Sequence, residues 1–268
     1  MNTVVFKETF RRNWRMIFIC GSFMIVLAVY VAVLLNDSKL VEQMTTLLAS
    51  VPFLLKTFGG GDAAFMASPA GLLNYSFFGW VMWMLSGYAV AAGLNITANE
   101  EERGILDVVL SAPLPRWRVL AEKLAAHILV LVGIVLISAM GMVVAVSLSS
   151  VLRDQVTPGQ LVVSAINMLP SAILVLAFTA LAGVVFRRRN TAMMVGTFFV
   201  VASFLVETLG RNLDTGGGLR ALSYFNYYDS ATVMQHGLNV GNVGLLLGAA
   251  ALLTALTVWR FQRREIGI

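Results

Sequence analysis

The sequence predicts an all-α polytopic membrane protein, with six transmembrane helices and both termini cytoplasmic. Three observations carry that expectation. Hydrophobic residues make up 58% of the 268 residues and charged residues only 12%, whereas soluble domains carry about 25% charged residues. A soluble fold of this length lacks the polar groups to cover its surface, and the composition equally excludes disordered and fibrous chains. Six runs approach the roughly 20 apolar residues that cross a bilayer: 16–35, 74–96, 124–148, 161–186, 191–209 and 240–259. Finally, the basic residues are partitioned between alternate loops. Of the 19 Lys and Arg, all but Lys39, Lys56, Arg153, Arg211 and Arg220 fall in the N-terminus, the second-to-third loop, the fourth-to-fifth loop and the tail. Positive loops stay inside, so the net charge of +5 reads as a topology signal rather than a nucleic-acid footprint.

The elements follow in order. Residues 1–15 are basic, with Val4, Val5, Phe6, Phe10 and Trp14 interleaved, the pattern of an amphipathic helix lying at the inner interface and leading into the first span. That first run is too long for a signal-peptide core, and no Ala-x-Ala site follows it, so it reads as a retained span. Outside, residues 38–56 place Leu40, Val41, Met44, Leu47, Leu48 and Val51 at helical spacing, predicting an external amphipathic helix before the Gly59-Gly60-Gly61 break. Residues 210–239, also outside, carry Gly216-Gly217-Gly218 and then Tyr224, Phe225, Tyr227 and Tyr228, which suggests a short interfacial or re-entrant segment. Pro170 is expected to kink the fourth span. No break in composition divides the chain, so residues 1–268 form one transmembrane domain.

The most informative stretch is the inner loop at 97–123. Thr97 with Glu100, or Asn99 with Glu102, would form a capping box. Glu100, Glu101 and Glu102 would occupy a first helical turn, where the helix dipole favours anions. Arg103 and Asp107 could pair across one turn, and Pro113 and Pro115 would end the helix. A short capped helix at 99–113, followed by a stiff proline turn, can transmit a push from a soluble partner into both flanking spans.

Several chemistries are missing from the sequence. No Gly-Lys pair exists, so the chain carries no phosphate loop and any nucleotide-driven work needs another polypeptide. The only histidines, His127 and His236, form no zinc motif, and no Gly-x-Ser-x-Gly occurs. Glu207 is the one acid inside an apolar run. It is a functional candidate by that fact, although Arg211 stands one turn away to pair with it. Asn74, Asn95 and Asn167 suit hydrogen bonds between helices.

The loop sequence resembles the signature of ABC transporter type-2 permeases. The shared order is acidic residues, Arg103-Gly104, two apolar residues, Asp107, Ser111-Ala112-Pro113, an apolar residue, Pro115-Arg116 and then Lys123. Ile105 stands where the family often has Thr, Asp107 replaces Glu, and Ala121-Glu122 occupy the place of a frequent Gly. The resemblance implies the fold of lipid and drug exporters of the ABCG type, with residues 1–15 as a connecting helix, 99–113 as the coupling helix and 210–239 as a re-entrant cap over the exit. It further implies a dimer with a second permease copy or homologue, served by two ATPase subunits. ATP and Mg would bind those subunits, with no cofactor on this chain, which would be a transporter and not itself an enzyme. On that reading Glu100, Glu101, Glu102, Arg103, Gly104, Asp107, Ser111, Pro113 and Arg116 would couple to the ATPase. Asn74, Glu207, Tyr224 and Phe225 would line the path of a hydrophobic or amphipathic drug, antibiotic or lipid leaving the cytoplasm or inner leaflet. The expected location is a prokaryotic cytoplasmic membrane. The alternative is a non-transporting sensor or scaffold whose loop docks a regulator.

Overall fold

A computed structural model describes residues 4–50, 63–102, 115–186, 188–213 and 217–263. Among them there are only helices, and six are long and apolar enough to cross a membrane. Span one is α1 (Val4–Leu34). After α2 (Ser38–Ser50) and α3 (Ala63–Met66), span two is built from α4 (Pro69–Leu73), a π-helical turn (Asn74–Phe78) and α5 (Gly79–Ile96). A short α6 (Ala98–Glu102) precedes span three, α7 (Arg116–Leu148). Span four comprises α8 (Pro158–Ile166) and α9 (Met168–Phe186), and span five is α10 (Arg189–Asn212). Three short helices, α11 (Gly217–Arg220), α12 (Tyr224–Tyr228) and α13 (Ser230–His236), lead into span six, α14 (Val240–Gln262). An even number of spans returns both termini to one end, here the terminal end; the other is the far end.

Each of the six spans extends, at one end or both, beyond the apolar stretch that reveals it. Residues 1–15 are, from Val4 onward, the first turns of an unbroken α1, because no Pro or Gly interrupts the chain where the apolar run begins. At 31 residues α1 is about 46 Å long, well beyond the hydrocarbon thickness of about 30 Å. Its orphan N–H groups need partners, and Phe6 N–H donates to Glu122 Oε2 of α7 at 3.1 Å. Helix α7 likewise starts at Arg116, ahead of the expected 124, with Pro115 fixing its N-cap. α1 and α7 pack along their length. Their far ends are tied by Asn36 Oδ1, which accepts from Ser149 Oγ at 3.2 Å and Ser150 N–H at 3.1 Å. Span two begins at Pro69, before the expected 74, and span five runs from 189 to 212 where 191–209 was expected. The external helix expected at 38–56 is seen as Ser38–Ser50; its remaining residues and the Gly59–Gly61 break lie outside the described residues.

Spans two and four form the centre, with α9 packed against α5, α10 and α14. Their backbones come together at Gly93. A Cβ there would lie 2.7 Å from Thr179 Cβ and 2.9 Å from the Leu176 carbonyl oxygen, so only glycine permits the approach. Gly93→Ala is expected to lower bundle stability by about 1–3 kcal/mol, read as a drop in thermal unfolding temperature; an unchanged temperature would refute this packing.

Span four breaks where its proline demands. Pro170 has no N–H for the Ile166 carbonyl, and α8 ends at Ile166 with Asn167 between the two helices. The bend therefore sits one turn before the proline. α8 begins with a capping box between Thr157 and Gln160.

Candidate functional site

At the terminal end, the loop with the distinctive motif begins in α6. Thr97 leaves the α5 helix with φ −137° and ψ −62°, redirecting the chain. Its carbonyl accepts from Glu101 N–H at 2.9 Å, which makes it the N-terminal boundary of α6. The expected capping boxes do not form. Thr97 Oγ1 is buried, has no hydrogen-bond partner among the described residues, and packs close to Gly183. Asn99 Nδ2 donates to Asn95 Oδ1. The two glutamates that would have closed the boxes reach other spans instead. Glu100 pairs with Lys123 of α7, whose Nζ also donates to the Ile96 carbonyl at 3.2 Å. Glu102 Oε1 accepts from Arg189 N–H at 2.8 Å and so caps α10, which has no side-chain cap of its own.

The start of the loop is thereby tied to spans three and five at once. Glu122, one residue before Lys123, holds Arg118 at 2.8 Å and the first turn of α1. Lys123 is 2% exposed, an expensive place for an ammonium unless it is paired. His127, one turn further along α7, is buried and its ring nitrogens find no partner among the described residues. Glu100, Lys123 and His127 border a cavity of about 380 Å³ between α1, α5, α6 and α7. Glu101 and Arg116 are also placed, flanking the segment. Arg103, Gly104, Asp107, Ser111 and Pro113, with the expected Arg103–Asp107 pair, lie outside the described residues.

The far end holds the second constellation. Of the segment 210–239, expected to be interfacial or re-entrant, the described residues after α10 form three short helices folded against spans two, four, five and six. Ser223 caps α12 and donates its hydroxyl to the Ser203 carbonyl at 2.7 Å. Tyr224 OH meets Ser86 Oγ at 3.1 Å, two turns into α5, so this segment penetrates the bundle. Tyr228 OH donates to the Phe78 carbonyl at 3.1 Å. In the π-helical turn Gly79 N–H bonds to the Asn74 carbonyl, one residue further back than in an α-helix, and such turns leave carbonyls for other partners. Asn167, at the break in span four, donates to the Tyr228 carbonyl. Burial pushes the Tyr224 and Tyr228 phenols well above the usual tyrosine range, so both keep their protons.

Glu207 pairs with Arg211 at 2.5 Å, the partner its spacing suggested, and also with Arg220 of α11 at 3.0 Å. Arg211 lies 3.7 Å from Asp229. Beside this network Trp83, Phe204 and Phe225 contact one another with ring centroids 4.8–5.7 Å apart, and Phe225 stacks on Tyr224 at 4.4 Å. Trp83, Phe204, Phe225, Glu207, Arg211 and Asp229 line a cavity of about 230 Å³ between span two, span five and the short helices. Asn74, Glu207 and Phe225 share its wall; Tyr224 lies behind Phe225 and does not. A larger, open groove of about 470 Å³ runs between α5 and α10 toward Asn95, Asn99 and Arg189, and Trp83 borders both spaces.

Sequence reasoning placed Lys123 only at the end of the shared signature and missed Trp80, Trp83, Phe204, Arg220 and Asp229 as site residues. The three-residue spacing of Trp80 and Trp83 within an apolar run was the one local signal available.

Six apolar spans define a multi-pass membrane protein. The chain matches the model of the family described as ABC-2 family transporter protein over residues 6–266, nearly its whole length, and it belongs to that family. It is thus of the type that forms the membrane component of ABC transporters. No curated protein matches it at a level that would identify a relative.

Proposed function

We propose that the chain is the permease subunit of an ATP-driven exporter, dimerising and coupling through 99–113 to two separate ATPase subunits in a prokaryotic cytoplasmic membrane. The cargo is a hydrophobic or amphipathic drug, antibiotic or lipid taken from the cytoplasm or inner leaflet. The observation that carries the coupling role is the double tether of α6. A displacement of the loop would pull span three through Glu100–Lys123 and span five through Glu102–Arg189. A loop anchored only to its own helix could not move both.

The groove between α5 and α10 supports a path at the outer face of the protomer, where a second copy would close it. Span five is only 28% buried and exposes Met194, Phe198 and Leu205. Those side chains face lipid or a partner.

Purification from native membranes should recover an ATPase subunit and two copies of this chain, or one with a homologue. Gly104→Trp, at the centre of the motif, should abolish substrate-stimulated ATP hydrolysis while the chain still inserts. Unchanged transport by that variant, or purification that never recovers an ATPase, would refute the coupling role.

A further inference from the structure

The open groove between α5 and α10 changes character along its length. Apart from Thr197, its polar groups stand at the terminal end, where Asn95, Asn99 and Arg189 border it. Beyond them Ala91, Gly87 and Val201 belong to apolar walls that reach Trp83, and α5 rises about 18 Å between Asn95 and Trp83. A Cβ added at Gly87 would meet no neighbouring atom within 4 Å, so the groove has room at mid-length. Arg189 opens span five and stands at headgroup depth, with the apolar walls in the hydrocarbon beyond it. The groups left unspent at the terminal end are donors. Arg189 is exposed, is the one charged residue on the groove wall, and has no carboxylate pairing its guanidinium among the described residues. Glu102 is engaged by the Arg189 backbone N–H instead. Asn95 Oδ1 is taken by Asn99 Nδ2, which leaves the Asn95 Nδ2 to donate. Asn95 and Asn99 also border the polar cavity beside α1, and the charge balance there has the same sign. Glu100 pairs with Lys123 and Glu8 with Arg11, so Arg12 is the charge on that wall without an opposite partner among the described residues.

We propose that the groove binds an anionic amphiphile drawn from the leaflet at the terminal end, with the Arg189 guanidinium and Asn95 Nδ2 donating to its head group and the apolar walls holding its chain. A phosphate head matches the guanidinium fork, and neither hollow at this end offers a free carboxylate to repel it. The inference rests on the permease reading in that it takes the groove for the path of the cargo. It goes further by fixing the sign of the cargo's charge and the end at which its head group is held.

The test uses the full chain in dodecyl maltoside micelles, without any ATPase, with bound amphiphile counted by native mass spectrometry. The probes are tetradecyl phosphate, tetradecanol and tetradecyltrimethylammonium at equal mole fraction, which share one chain and differ in the head group. The phosphate should bind at least about tenfold more tightly than the alcohol, the difference a charge-assisted hydrogen bond supplies, and the ammonium more weakly than either. Arg189→Gln, which keeps the backbone N–H that Glu102 accepts from, should bring the phosphate down to the alcohol's affinity. Arg188→Gln, next in the chain but not on the groove wall, should leave the preference intact. Gly87→Leu fills the groove where a side chain meets no neighbour, so it should unfold like wild type and weaken phosphate and alcohol alike by about tenfold or more. A preference below tenfold, ammonium binding as tight as the phosphate's, no binding by any probe, or binding unchanged in Gly87→Leu would overturn the proposal. Equal losses in Arg188→Gln and Arg189→Gln would also overturn it, by showing a general attraction of the basic surface. Phosphate binding by a chain that captures no ATPase would sink the permease reading and leave this site standing; capture of an ATPase without phosphate binding would sink the site alone.

Discussion

Glu100→Ala is expected to destabilise the bundle by roughly 3–5 kcal/mol, the usual consequence of stranding a buried charge. The Lys123 side chain is 3% exposed, and once the carboxylate is gone its ammonium keeps only the Ile96 carbonyl. The matching variant Lys123→Met should cost less, because the Glu100 side chain is 18% exposed and borders a cavity where water can reach it. Combining Glu100→Leu with Lys123→Met should recover most of the lost stability, since an apolar pair of similar volume often replaces a buried ion pair without loss. That double variant separates fold from function. If the pair is a tether that transmits motion, the restored protein should unfold like wild type yet fail to stimulate ATP hydrolysis. A double-mutant cycle on thermal unfolding measures the first part. A Glu100→Ala protein within about 0.5 kcal/mol of wild type, the scatter of ordinary surface changes, would show that Lys123 does not depend on its partner.

Glu207→Ala should produce the second large effect, and in a different place. Among the described residues it removes the only anion contacting Arg220 and the closer of two contacting Arg211. The hydrogen bonds from Ser223 to Ser203 and from Tyr228 to Phe78 remain and still hold α12, so the loss should fall first on the docking of α11 rather than on the spans. Hydrogen exchange should rise most in 217–222 and stay unchanged in α5 and α9. The order of severity follows from burial. Glu207→Ala should be worst, Arg211→Ala intermediate, and Arg220→Ala mildest, because the Arg220 side chain is 31% exposed against 10% for Arg211. Uniform protection across the segment in Glu207→Ala would refute the idea that this network fastens it.

What the sequence disclosed was set by how local each signal is. Six spans are legible because a bilayer demands about 20 consecutive apolar residues, whatever they pack against. Their ends are less legible, because hydropathy marks where hydrocarbon stops and not where the helix does. Arg116–Lys123 are helical although four of those eight residues carry charge. The Glu207–Arg211 pair is visible as a spacing within one helix. The capping box at Thr97 was a sound local inference overridden from afar: the carboxylate that should have closed it is claimed by Lys123, 23 residues on. The far-end cavity draws on span two, span five and the short helices, and no pattern in one sequence announces that those rings converge. Asn74 and Glu207 were reachable as polar residues in apolar runs, but that they share one wall was not.

The π-helical turn at Asn74–Phe78 has a genetic corollary. Such a turn is in effect a single inserted codon, absorbed by widening one coil of the helix. Deleting Phe77 would let span two relax into ordinary helix, and membrane insertion should scarcely register the loss. Yet everything on one side of the cut would swing by about 100° relative to the other, carrying Trp80 and Trp83 out of phase with Asn74. The extra residue in that coil sets an angular offset between Asn74 and the two tryptophans that a point substitution would not supply.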